Sequence, residues 1–262
     1  MLGSMMNPLN STMLATALVT LCNAYKITVG EGAILISSLY ITSTVAQPLM
    51  GRLADIFSAK KINTLGFILV LIASAIGVWA PAFGWLIASR IILGLGTSAA
   101  YPSAMALINQ KYAAGQQKVP GSVLGLIVLS AQLSMVLGPV LGGALTQWMG
   151  WKGVFFINIP LVIIAMLLSV YIPDYPVSPE NRQGSIYKRL DVPGILLFCA
   201  FLLATLYVLM QHTFYWWKLL PVVGLLAALI WWERGQERPF LDVRLFVNKP
   251  VLSLIYLRTL AI

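Results

Sequence analysis

The sequence predicts an all-α protein that crosses a lipid bilayer many times. Three observations carry that class. Of 262 residues, 59% are hydrophobic and 10% charged, where soluble domains run at about 45–50% apolar and about 25% charged. Apolar runs long enough to cross the hydrocarbon core, about 20 residues each, recur along the whole chain. The 17 Lys and Arg fall in short clusters between those runs, the pattern of cytoplasmic loops. These features exclude a soluble enzyme, a disordered chain and a disulfide scaffold. The loop placement of the cations also argues against a nucleic-acid partner, despite a net charge of +9.

Spans are expected at about Leu2–Ala24, Ala33–Ala54, Ile62–Ala80, Trp85–Ile108, Gly121–Trp148, Gly153–Tyr171, Val192–Gln211 and Phe214–Trp232. A ninth starts near Val251 and meets the chain end at Ile262. Breakers separate most of them: Gly30-Glu31-Gly32, Pro81, Gly115, Pro120, Gly150 and Pro173-Asp174-Tyr175-Pro176. The fifth run exceeds one bilayer thickness, so it tilts or extends into a loop. Cys22 and Cys199 lie within apolar runs and read as small fillers. His212 stands alone at a span end, which gives no metal cluster. The eight Trp sit at span ends as an interfacial belt.

Orientation follows from the loops. The even–odd loops carry Arg52, Lys60, Lys61, Lys111, Lys118, Arg182, Lys188, Arg189, Arg234, Arg238, Arg244 and Lys249. The opposite loops carry Lys26, Lys152 and Lys218. Positive-inside bias therefore places the first set, and the N-terminus, in the cytoplasm.

Three segments carry chemistry. After span 2, Gly51-Arg52-Leu53-Ala54-Asp55-Ile56-Phe57-Ser58-Ala59-Lys60-Lys61 sets an acid among three cations in a tight turn. Asp55 reads either as a breakable latch or as an acid that happens to lie in a basic loop. In span 4, Arg90 is a costly intramembrane cation that must pair, face a wet cavity or snorkel. In span 5, Ser134-Met135-Val136-Leu137-Gly138-Pro139-Val140-Leu141-Gly142-Gly143 combines a helix bend with glycines that admit a close neighbour. Polar groups at mid-depth (Asn10, Thr12, Thr16, Gln132 and Ser134) are candidates for lining a cavity. Glu31 reads as a solvated loop charge, and no deep coupling carboxylate is visible.

The loop Gly51–Lys61 closely resembles the signature loop of the major facilitator superfamily, G-x-L-a-D-r-x-G-r-K, with Ser58-Ala59 in place of Gly-Arg. Arg90-Ile91-Ile92-Leu93-Gly94-Leu95-Gly96 resembles the fourth-helix motif R-x-x-q-G-x-G, with Leu93 for Gln. Residues 134–143 resemble the antiporter motif g-x-x-x-G-P-x-x-G-G, with Ser134 at its first position. The junction Gly150–Pro160 and the loop Arg238–Pro250 look like segments of the fourteen-span drug:proton antiporter branch. Leu9–Leu18 is similar to that branch's first span, with Asn10 where many members carry Asp.

The resemblance implies an N-terminal six-helix half over 1–172, a cytoplasmic loop over 173–190, two extra helices over 191–232, a second loop over 233–249 and the start of a C-terminal half over 250–262. It further implies a multi-pass plasma-membrane exporter of small hydrophobic or cationic compounds, driven by exchange with protons and needing no bound cofactor. Gly51, Arg52, Asp55, Lys60 and Lys61 would gate, Arg90 would serve proton transfer or coupling, and Gly138, Pro139, Gly142 and Gly143 would mark export. Alternatives are an importer or facilitator of metabolites or anions, and a non-transporting scaffold. Alternating access needs a second bundle, so this chain is expected to require a C-terminal half or a second chain. Arg90 and Gln132 are expected to face lipid until that partner covers them.

Overall fold

The computed structural model describes residues 2–174, 191–209, 216–236 and Leu254. His212, the cations Arg182, Lys188, Arg189, Arg238, Arg244 and Lys249, and nearly all of the ninth span lie outside the described residues. Every described regular element is a helix: α1 (Leu2–Tyr25), α2 (Val29–Gly32), α3 (Ile34–Phe57), α4 (Ala59–Val78), α5 (Phe83–Ser98), α6 (Ala100–Ala114), α7 (Gly121–Met149), α8 (Gly153–Phe156), α9 (Asn158–Val170), α10 (Val192–Leu209) and α11 (Leu219–Arg234). Short 3-10 turns precede α8 and α11. Val29–Phe57, Ala59–Val78, Phe83–Ala114, Gly121–Phe156 and Trp216–Arg234 are long and apolar enough to cross a membrane. Asn158–Val170 is apolar but shorter. At about 36 Å, the 24-residue α1 is long enough, but its early turns are diluted by Ser4, Asn7, Asn10, Ser11 and Thr12.

Two expected spans are interrupted, and proline explains both. The fourth divides at Ala99 and the sixth at Ile157. Pro102 and Pro160 stand four residues after the last residues of α5 and α8. Each withholds the N–H that the carbonyl of Ser98 or Phe156 would have received. Between α3 and α4 a single residue, Ser58, reverses the chain at φ 117° and ψ 131°, a conformation that favours glycine. Its N–H closes α3 on the Ala54 carbonyl at 3.2 Å, and its carbonyl receives Ile62 N–H at 3.1 Å. Glu31 is part of a capping box as well as exposed: its carboxylate accepts from Thr28 N at 2.8 Å, and Thr28 Oγ1 accepts from Glu31 N at 3.2 Å.

Residues 1–179 form one compact unit and 180–262 a second. In the first, a core of Leu14, Leu21, Leu35, Leu86 and Phe155 adjoins Tyr25 and Trp151. A second cluster joins Met6, Leu39, Phe67, Val70, Leu93 and Val162. In the second unit α10 packs on α11. There Asp191 accepts from Gly194 N at 3.2 Å and from Trp232 Nε1 at 2.9 Å, tying the start of one helix to the end of the other. Trp79, Trp85, Trp148, Trp216, Trp217 and Trp231 are exposed as a belt requires. Trp151 is not part of that belt: it packs inward, 5.3 Å from the Tyr25 ring and edge-on to Phe155 at 6.0 Å.

Candidate functional site

Helix α7 meets α1 at backbone distance, and the contact is made by spacing. Ser134, Gly138 and Gly142 recur every four residues and, with Ile127, form the buried stripe of a helix that is elsewhere half-buried or exposed. A Cβ on Gly138 would overlap the Thr12 hydroxyl and lie 2.7 Å from Thr12 Cβ. One on Gly142 would overlap the Thr16 hydroxyl and lie 2.7 Å from the Met13 Cα. Gly143 departs from the expectation of close approach: a Cβ there meets nothing within 4 Å, because the next residue along a helix points about 100° away. Pro139, also exposed, lies inside α7 and leaves the Met135 carbonyl without its helical donor.

The expected cavity-lining residues do not share one surface. Asn10 is fully buried and exchanges two hydrogen bonds of 2.7 Å with Asn158 of α9, each amide donating to the other's carbonyl. It is a bridge between helices rather than an open contact point, because an unpaired amide at this depth would be costly. Ser134 is likewise fully buried, with Oγ donating to Ser130 O at 2.7 Å. Thr12 is half-buried and Thr16 exposed, both donating to their own helix backbone at 2.8 and 2.7 Å. Gln132 is exposed.

A polar junction that the sequence did not single out joins three helices. Asn7 Nδ2 donates to Ser43 Oγ at 2.8 Å and to Thr97 Oγ1 at 3.3 Å, linking α1, α3 and α5. All three are common polar residues in apolar runs, and only their juxtaposition marks them.

Arg90 corrects an expectation. It neither snorkels nor faces lipid: its relative exposure is 0%. The guanidinium lies 4.3 Å from the centroid of the Phe155 ring. Gly77 makes room for that ring, since a Cβ there would overlap it. None of the three guanidinium nitrogens has a hydrogen-bond partner among the described residues. Stacking on an aromatic face returns about 2 kcal/mol when desolvated, against an effective burial penalty of several kcal/mol for a lone ion. Arg90 is thus a fully buried cation with no hydrogen-bond partner among the described residues.

The signature-type loop holds its charges differently from one another. Gly51 faces Pro102 with ordinary spacing, 3.5 Å for an added Cβ. Asp55 is exposed, one helical turn after Arg52. Lys61 is exposed. Lys60 reaches the end of α9, donating from Nζ to Ile172 O at 2.5 Å and Val170 O at 3.4 Å, where a cation complements the free carbonyls of a helix C-terminus. Beside it, Ser58 Oγ donates to Asp174 Oδ1 at 2.6 Å. The loop is thus fastened to the segment that leaves the sixth span.

The model of the Major Facilitator Superfamily matches residues 1–232. An uncharacterized MFS-type transporter of Bacillus subtilis, YwoD, is 34% identical over 98% of this chain and 56% of its own length. The riboflavin transporter RibZ of Clostridioides difficile is 27% identical, covering 95% of this chain and 53% of RibZ. Multidrug resistance protein 3 of Bacillus subtilis is 28% identical, over 98% and 51%. The chain therefore spans about half the length of the relatives it matches. The crystal structure of the human organic anion transporter MFSD10 shares the fold, with a TM-score of 0.54 and 18% identity over 76% of this chain and 53% of that one. By its helices, its motifs and the match over residues 1–232, the chain belongs to the Major Facilitator Superfamily.

Proposed function

We propose that the chain is the N-terminal part of a secondary active exporter of the fourteen-span drug:proton antiporter branch. It exchanges small hydrophobic or cationic compounds for protons by alternating access. The observation that carries this reading is the α1–α7 seam. Gly138 and Gly142, the glycines of the antiporter-type motif, are the positions where any side chain would collide with Thr12 or Thr16. A relative named for multidrug resistance supports the same direction.

In this reading Arg90 couples protonation to the cycle, finding an anionic or polar partner in a state other than the one described. Asp55 with Arg52 and Lys61 gates the cytoplasmic side, and the positively charged loops place that side in the cytoplasm of a plasma-membrane protein. Transport requires a second six-helix bundle supplied by a C-terminal half or another chain. A second reading, carriage of a metabolite or organic anion, is favoured by the buried Arg90 cation and by Asn10 in place of an acid; RibZ is a relative named for such a metabolite.

The test is flux in proteoliposomes holding the chain together with a second half. Export-directed movement of a cationic dye that collapses with the pH gradient supports the first reading. Gradient-independent riboflavin or anion flux supports the second, and no flux of either kind supports a scaffold.

A further inference from the structure

A cavity of about 520 Å³ lies at the end of the first unit that carries Lys60, Lys61 and Lys111. It is bounded by the start of α1 and by α4, α6 and α9. Its walls are mostly apolar, with Phe67, Ala104, Leu107 and Leu168 beside the polar Ser4, Asn63 and Ser169, and Lys111 is the only charged residue that lines it. Leu168 both lines the cavity and is 54% exposed. The wall that Leu168 forms therefore reaches the outer surface of the unit, where Leu65, Ile68, Leu167 and Val170 are also exposed. In a membrane protein that surface faces acyl chains rather than water. An apolar cleft at this level excludes water but admits a hydrocarbon chain, and a lysine at its rim meets the depth of the phosphate groups.

We propose that this cavity is a binding site for an anionic phospholipid, with an acyl chain between α4, α6 and α9 and the headgroup phosphate against Lys111. Charge complementarity selects the anionic class: no Asp or Glu lines the cavity, and the nearby Asp174 lies beside Lys60 and Lys61, which outnumber it. Lys60, bonded to the Ile172 carbonyl at the same rim, adds a second positive charge to the field. The site is independent of the substrate and of the direction of transport.

The test uses the purified full chain equilibrated with phosphatidylcholine vesicles containing phosphatidylglycerol, with retained lipid counted by native mass spectrometry. Wild type is expected to retain phosphatidylglycerol in preference to phosphatidylcholine. Lys111→Gln, a substitution of an exposed side chain, should lower that preference about fivefold. Ala104→Phe, which fills the cavity, should abolish retention with helix content unchanged, and Ile108→Phe serves if the first variant misfolds. Equal retention of both lipids by wild type, an unchanged preference in Lys111→Gln, or a cavity closed to lipid by the chain itself would overturn the proposal.

Discussion

Arg90 offers the sharpest perturbation, because its burial and its lack of hydrogen-bond partners make opposite demands on stability and function. The side chain is fully buried, stacks on Phe155 at 4.3 Å, and has three nitrogens without partners among the described residues. Replacing an imperfectly compensated buried charge by an apolar side chain of similar length stabilises by about 1–4 kcal/mol, so Arg90→Met is expected to raise the unfolding free energy by that amount. Arg90→Ala removes the same charge but leaves a void that costs about 2–5 kcal/mol, so the two effects nearly cancel. Arg90→Lys keeps the charge and loses the planar stack, a net loss of about 1–2 kcal/mol. The order Met, then wild type and Ala together, then Lys is the signature. It is read by denaturant titration in micelles, following helical circular dichroism. Under the proposed coupling role of Arg90, transport by the complete assembly should fall in a different order, with Lys retaining more flux than Ala or Met, because that role would need the charge that stability does not. If Arg90→Met is less stable than wild type by more than about 1 kcal/mol, the guanidinium is well partnered and the reasoning fails.

Three further predictions follow from contacts elsewhere. Gly138→Ala should cost about 1–3 kcal/mol through overpacking against Thr12, with Thr12→Ala restoring part of it, while Gly143→Ala, which meets open space, should be nearly neutral; thermal unfolding of the four proteins decides. Asn10→Ala and Asn158→Ala should each cost about 1–3 kcal/mol by stranding the partner amide, and the double variant should cost clearly less than their sum. Ser58→Ala should cost about 1 kcal/mol by losing its bond to the exposed Asp174, whereas Ser58→Gly loses the same bond but relieves the φ of 117°, leaving it about 1 kcal/mol more stable than the Ala variant; matching stabilities for the two would show that no strain resides there.

Helix class and the breaks at Gly150 and Pro120 were legible because apolar runs and breakers act locally. The glycine stripe of α7 was legible as a motif, but only packing could separate Gly138 and Gly142 from Gly143, since a sequence run does not say which residues face the neighbour. Asn10 misled for a related reason. Its chemistry suits a ligand, yet its partner Asn158 lies 148 residues away, and a pairing at that separation leaves no trace in local pattern. The splits at Ala99 and Ile157 were readable in principle from Pro102 and Pro160, whose effect falls four residues upstream. Ser58 and Lys60 show the opposite case: Ser58 stands where the signature loop has Gly, and the structure gives both side chains partners at the end of the sixth span.

The central claim, that this chain is half of a proton-coupled exporter, is tested most directly by flux. The chain is reconstituted alone and with a C-terminal half, and a cationic dye is followed with and without an imposed pH gradient. The account predicts flux only with both halves present, lost when the gradient is dissipated and lost again in Arg90→Met. Robust flux from the chain alone, or flux with both halves that ignores the gradient, would contradict it.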